Sequence, residues 1–288
     1  MKKFFLIFFL LPFFATAQNM FFSLRAGVAS YNGDLKRKSY SFSQSSFIGS
    51  LGARYDISEH ITARGYLSYT TLKGDDKKGN AVMKARNLNF KTNVLELELG
   101  AQYNFLSLNY SWWTPYVYAG IGAFHFNPYT KDENGNKTFL HPLSTEGEGV
   151  VPSVHKYNLF QISIPLGIGV DRAINEDLKA GFEMGYRKLF TDYLDDVSNV
   201  YANESALLAA KGQKAVDLAY RGDEVGSGPY PGENITRGNP KSKDGYFYAA
   251  LTLTFRLSFD KYKKTSGMPA YKRDKRVGCP ATRNSGGY

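Results

Sequence analysis

Phe160, Ile162, Ile164, Leu166, Ile168 and Val170 alternate without a break against Gln161, Ser163, Pro165, Gly167, Gly169 and Asp171. A period of two places the first set on one face of a strand and the second on the other, which no helix can do. One such strand would suit a soluble sandwich as well as a membrane wall. Seven further segments fit the same template, at about 21–31, 46–55, 61–72, 93–104, 115–126, 178–190 and 246–257. Leu95, Leu97, Leu99 and Ala101 oppose Glu96, Glu98, Gly100 and Gln102, and Ala180, Phe182 and Met184 oppose Gly181, Glu183 and Gly185. At roughly 10–13 residues each, the segments exceed soluble strands of about 5–6 and match the 9–11 or so that cross a bilayer at a tilt.

The connections supply an independent test. They run to about 14, 5, 20, 10, 31, 6 and 55 residues in chain order, long and short by turns, as expected when strands are joined by short turns on the periplasmic side and longer loops outside. With an even number of strands, both termini fall on the periplasmic side. The expected fold is all-β: an eight-stranded antiparallel transmembrane β-barrel with long extracellular loops. A short helix is expected in the last loop, over about 204–221, weakened by Gly212.

The chain opens Met1-Lys2-Lys3, continues through an apolar run at 4–14 and reaches Ala15-Thr16-Ala17, the pattern of a cleavable secretory signal over 1–17. The apolar run, with Pro12 inside it, is far short of the roughly 20 residues of a spanning helix. The barrel is then expected at 18–259 and a tail at 260–288. The 21 Tyr, 21 Phe and 28 Gly, with a mean hydropathy of −0.36, suit strands with a lipid face, aromatic girdles and polar loops.

Arg25, Arg54, Arg64, Glu96, Glu98, Glu183 and Arg187 lie on the polar faces, where lipid exposure would be costly. Facing inward, they can pair across a lumen narrow enough for side chains to fill, which favours a plugged barrel over a pore. In the last loop, Asp192, Asp195 and Asp196 bring three carboxylates close together: either an oxygen-rich ion site or aspartates that cap turns. None of His60, His125, His141 and His155 has a serine beside it on one strand face, so the expectation is a protein that is not an enzyme. No metal-ligand cluster, cofactor-binding loop or nucleic-acid module stands out in the sequence.

Several loop and strand-end segments, taken in order, resemble a Bacteroidota family of outer-membrane barrels that includes PorG of the type IX secretion system. They are Tyr31-Asn32-Gly33-Asp34-Leu35, Gly74-Asp75-Asp76, Arg86-Asn87-Leu88-Asn89-Phe90, Phe126-Asn127-Pro128, the run 142–149, Ile164-Pro165-Leu166-Gly167-Ile168-Gly169 and the run 191–198. The resemblance implies an assembly role beside periplasmic ring proteins like PorK and PorN. The tail adds a reading of its own. It carries eight Lys/Arg against two Asp, net +6, and holds the only cysteine, Cys279. Either it is attracted to anionic lipid or peptidoglycan, or it docks on a partner through Lys272, Arg273, Lys275 and Arg276, with Cys279 forming an intermolecular disulfide. A surface-binding barrel working through its long loops is the alternative function.

Overall fold

The computed structural model describes residues 20–36, 44–152 and 154–256. The expected signal (1–17) and basic tail (260–288), with Lys272, Arg273, Lys275, Arg276 and Cys279, lie outside the described residues. The strands are β1 (Met20–Asn32), β2 (Ser46–Asp56), β3 (Ile61–Asp75), β4 (Asn89–Asn104), β5 (Trp113–His125), β6 (Pro128–Lys131), β7 (Lys137–Phe139), β8 (Phe160–Ala173), β9 (Leu178–Leu189) and β10 (Gly245–Phe255). Eight of them run antiparallel in the order β3-β2-β1-β10-β9-β8-β5-β4, and β3 pairs with β4 to close the cylinder.

Closure leaves every long strand paired on both edges, the condition for crossing a membrane with strands. The wall is turned inside out relative to a soluble protein. Leu251 is 69% exposed on the outside while Arg25, on the adjoining strand, is 1% exposed on the inside. Leu51, Leu99, Ile121, Ile162 and Ile168 continue the outward apolar band. Exposed aromatic residues mark both rims: Tyr103, Phe105, Trp112 and Trp113 near the short turns, and Phe47, Tyr69, Phe160 and Phe190 near the long loops. An apolar band between two aromatic girdles is the exterior of an outer-membrane barrel, and that is the fold of this chain. Among the described residues no helix is long and apolar enough to span a membrane.

The structure corrects the expected boundaries at the long-loop end. Strand β4 begins at Asn89 rather than 93, and β3 runs to Asp75 rather than 72. Beyond the bilayer the exterior faces water, so Lys73, Asp75, Asn89, Lys91 and Asn93 point outward there. Leu72, Phe90 and Val94 point inward. The alternation has inverted, and a template seeking an apolar exterior stops where the lipid stops.

The interior changes with it. The top of the lumen is apolar, where Tyr31, Ile48, Val94, Phe124 and Leu189 pack in one core with loop residues Leu35, Leu88, Leu140, Leu194, Val197 and Leu218. The long loops are therefore a folded crown. Within it, β6 and β7 form a hairpin that continues from β4, and a helix not expected from the sequence, α1 (Ala81–Arg86), is capped by Asn80. The helix expected over 204–221 is two helices, α2 (Glu204–Lys211) and α3 (Gln213–Ala219), parted at Gly212, whose φ of +82° is left-handed backbone that interrupts a helix.

Candidate functional site at the mouth of the barrel

Strand alternation turns Arg25, Arg54, Arg64, Glu96, Glu98, Glu183 and Arg187 into the lumen, and the structure brings all seven into one network. Glu183 is its hub, receiving Arg25 Nη1 at 2.7 Å, Arg64 Nη1 at 2.8 Å and the Tyr116 hydroxyl at 2.8 Å, and also the Tyr248 hydroxyl. Glu98 accepts from Arg187 Nη2 at 2.6 Å and Arg25 Nη2 at 3.3 Å, and lies 3.3 Å from Arg64 Nε. Glu96 takes Arg187 Nε at 2.8 Å and the Tyr246 hydroxyl at 2.9 Å. The seven residues alone carry one excess positive charge. Asp171, 2.6 Å from Arg54 Nη1, removes it. Sequence reasoning missed Asp171, although the unbalanced arginine was a signal that a further inward carboxylate was needed. It missed the tyrosines too, including Tyr66, whose hydroxyl receives Arg54 Nε at 2.7 Å.

Above this layer, the crown gathers a second cluster of carboxylates with a different chemistry. The chain turns sharply at Asp196, whose φ is +65°, and this points neighbouring carboxyls in separate directions. Asp196 accepts from the Thr145 and Tyr157 hydroxyls, each at 2.6 Å. Asp192 accepts from Ser198 Oγ at 2.8 Å, with its other oxygen lacking a hydrogen-bond partner. Asp195 accepts from the Val197 N–H at 3.0 Å and contacts the Tyr31 hydroxyl, which lies 3.1 Å from Asp244 as well. The Tyr31 hydroxyl thus sits between two buried carboxylates, those of Asp195 and Asp244.

Arg237 ties this loop to the one before it. It reaches Glu146 at 3.0 Å and the Asp196 carbonyl at 2.5 Å, and Glu146 receives the N–H groups of Ser198 and Asn199 at 2.8 and 2.9 Å. Burial raises the carboxyl of Asp192 to about 6 and that of Glu148 to about 8, the latter also pushed up by Asp196 and Glu146. Asp195 and Asp244 rise well above the ordinary range, first through burial, then through Asp34 for the former and through Asp195 and Asp192 for the latter. Among the described residues no group of three His, Cys, Asp or Glu side chains is arranged to hold a metal ion, since Asp192, Asp195 and Asp196 face three different sets of partners.

A family model described as "Domain of unknown function (DUF6089)" matches residues 1–211. The chain belongs to the DUF6089 family. Arg237 and Asp244 lie past the matched residues of this DUF6089 chain, while their partners Tyr31, Glu146, Asp195 and Asp196 lie inside them. No curated protein matches the chain. It is similar to the solved structure of Neisserial surface protein A, with 12% identity, 83% of this chain and 97% of that one covered, and a TM-score of 0.41. A major outer membrane protein from Thermus thermophilus gives 12% identity, coverage of 83% and 99%, and a TM-score of 0.40. For the outer membrane protein OprG from Pseudomonas aeruginosa the values are 10%, 82% and 96%, and 0.38. At this level the likeness carries nothing about function.

The segments that carried the sequence resemblance converge in space. Tyr31 and Asp34, Asp76, Arg86 and Asn87, Thr145 and Glu146, and Asp192 to Ser198 all take part in the bonds of the crown. Arg86, for example, joins Asp76 at 2.8 Å and the Asp34 carbonyl at 3.1 Å. Most of the segments that carry the resemblance thus lie at the mouth of the barrel.

Proposed function

We propose that this protein is a non-enzymatic outer-membrane anchor for a protein-secretion machine, with both termini in the periplasm and the basic tail docking onto ring proteins resembling PorK and PorN. The observation that supports an anchor is the lumen. Four arginines and four carboxylates, interlocked with tyrosines, fill the cross-section that a transporter would keep open, and an apolar core seals the mouth. A wall this occupied leaves function to the parts outside the membrane. The secretion role rests on the sequence resemblance, and the docking role on the net charge of the tail and on Cys279.

Three measurements test the reading. Reconstituted in planar bilayers, the full chain is expected to give no steady conductance, and stable open channels would overturn the anchor. Deleting 260–288 should abolish co-purification of periplasmic partners while the barrel still inserts. Under non-reducing electrophoresis the wild type should show a larger species that Cys279→Ser loses, and a monomer band in both lanes would sink the disulfide. A second reading, a surface-binding barrel, draws support from one observation: the crown is folded and contains a cavity.

A further inference from the structure

That cavity, of about 390 Å³, lies between α1 and the end of the last loop. It is at the lower end of the range of about 300–1,000 Å³ typical of small-molecule sites, enough for one or two sugar rings. Its mouth is formed by exposed residues, Val82 and Asn239 among them, and its floor by buried Tyr201, Tyr220 and Arg237. Two floor groups have unused bonding capacity. Arg237 is 3% exposed and spends Nε on the Ala219 carbonyl and Nη1 on Glu146 and Asp196, while its Nη2 has no partner among the described residues. The Tyr201 hydroxyl also bonds to no protein group among them, although its ring is packed edge-on against Tyr220 and Tyr230. Neither Nη2 nor this hydroxyl belongs to the buried polar atoms left without a partner, so both are open to the cavity, where a ligand oxygen can take the place of solvent.

The charge of the wall says which kind. Arg237 is matched by Glu146 and Arg86 by Asp76, and Asp34 in the lining is left over, so no positive excess exists to hold an anion. The Asp34 carboxylate has one oxygen on the Asn239 N–H at 2.6 Å and the other available to accept. Donors, an acceptor and a hydroxyl thus share the lining with tyrosine rings and the aliphatic Met83 and Val82. A polyol with one apolar face satisfies both.

We propose that this cavity is a carbohydrate site, binding a neutral sugar residue of a glycan presented outside the cell. A sugar hydroxyl would accept from Arg237 Nη2, another would meet Tyr201, and a third would donate to Asp34, with the C–H face of the ring against the tyrosines. The site stands on the crown alone and is independent of whether the tail docks on ring proteins.

The test uses the full chain in lipid nanodiscs, with glucose, galactose, mannose and N-acetylglucosamine as neutral probes, glucuronate as the anionic one, and saturation-transfer NMR as the readout. Transfer to at least one neutral sugar is expected. Val82→Trp, a change at an exposed mouth residue, should abolish it, and Tyr201→Phe should weaken it about tenfold, the loss of one hydrogen bond. Resistance of the loops to protease in both variants establishes that the crown is still folded. No transfer from any of the four sugars, transfer that survives Val82→Trp, or transfer from glucuronate in place of the neutral sugars would each overturn the proposal.

Discussion

The lumen and the crown both bury carboxylates, and they neutralise them by different means. In the lumen each acid meets a guanidinium, as Glu183 meets Arg25 and Arg64, and the charges balance. In the crown, acids outnumber the arginines. Asp196 is held by two hydroxyls, and Asp195 and Asp244 close on the single hydroxyl of Tyr31. The difference follows the surroundings. A lumen walled by lipid gains nothing from water and needs full ionic pairing. A crown bathed in solvent can exchange protons, so its carboxyls can be held as acids. The barrel should therefore behave as a rigid plug, and the crown as a part whose firmness depends on conditions.

The largest expected effect is on the plug. Glu183→Gln takes from Arg25 and Arg64 the nearer of the two anions they share, leaving only Glu98 at 3.3 Å from each, and breaking such a buried pair costs about 3–5 kcal/mol. Urea unfolding in vesicles would read it. A loss under about 1 kcal/mol, the range of solvated ion pairs, would mean that water reaches the network and that the contrast with the crown is smaller than drawn. Next comes Arg237→Leu, which deprives Glu146 of its guanidinium but leaves it the N–H groups of Ser198 and Asn199. A cost of about 1.5–3 kcal/mol, that of a charged hydrogen bond, should appear as protease cleavage within 190–244 while the barrel's own unfolding stays unchanged. If the barrel weakens in parallel, the two regions are one cooperative unit.

How much of this was legible follows the same division. The eight strands could be read because lipid on one side and charge on the other force a period of two, as in the run from Phe160 to Asp171. The lumen charges were legible for the same reason, although Asp171, which balances them, was missed. The crown was not. Its strands invert their pattern at Lys73 and Lys91, above the bilayer. Its key bond joins Arg237 to Glu146 across 91 residues, with no period to connect them. Asp192, Asp195 and Asp196 were visible as a cluster, but the turn at Asp196 that sends them to different partners could not be inferred from spacing.

The pH dependence gives a smaller but more discriminating effect. Glu148, held near 8 by burial against an ordinary 4.5, and Asp192, near 6 against 3.8, are both raised. The folded crown then binds more protons than the unfolded loops. Its stability is complete below the ordinary carboxyl values and declines as pH rises from about 4 to about 8. Hydrogen exchange of the Ser198 and Asn199 amides, corrected for intrinsic rate, should speed up about tenfold across that interval, or about 1.4 kcal/mol. The barrel strands should show no such trend. Exchange that slows with rising pH would reverse the assignment of the crown's protons.

The smallest effect isolates the crown most cleanly. Asn203 caps α2 by accepting the Ala206 N–H at 3.0 Å. Asn203→Ala removes that bond, and the 3.3 Å bond from Asn203 Nδ2 to the exposed Glu233 carboxylate, without touching a cavity wall or the lumen, at a cost of about 1 kcal/mol. Because α2 and α3 meet through Leu207, Ala215, Val216 and Ala219, a loosened α2 should raise exchange in α3 as well. The loss should be the same at pH 5 and pH 8, since the cap itself is a bond between a neutral amide oxygen and a backbone N–H. An equal loss at both values, beside the pH trend at Ser198 and Asn199, would separate helix packing from carboxyl protonation as sources of crown stability. A loss that grows with pH would mean that the helices and the carboxylate clasp hold each other in place.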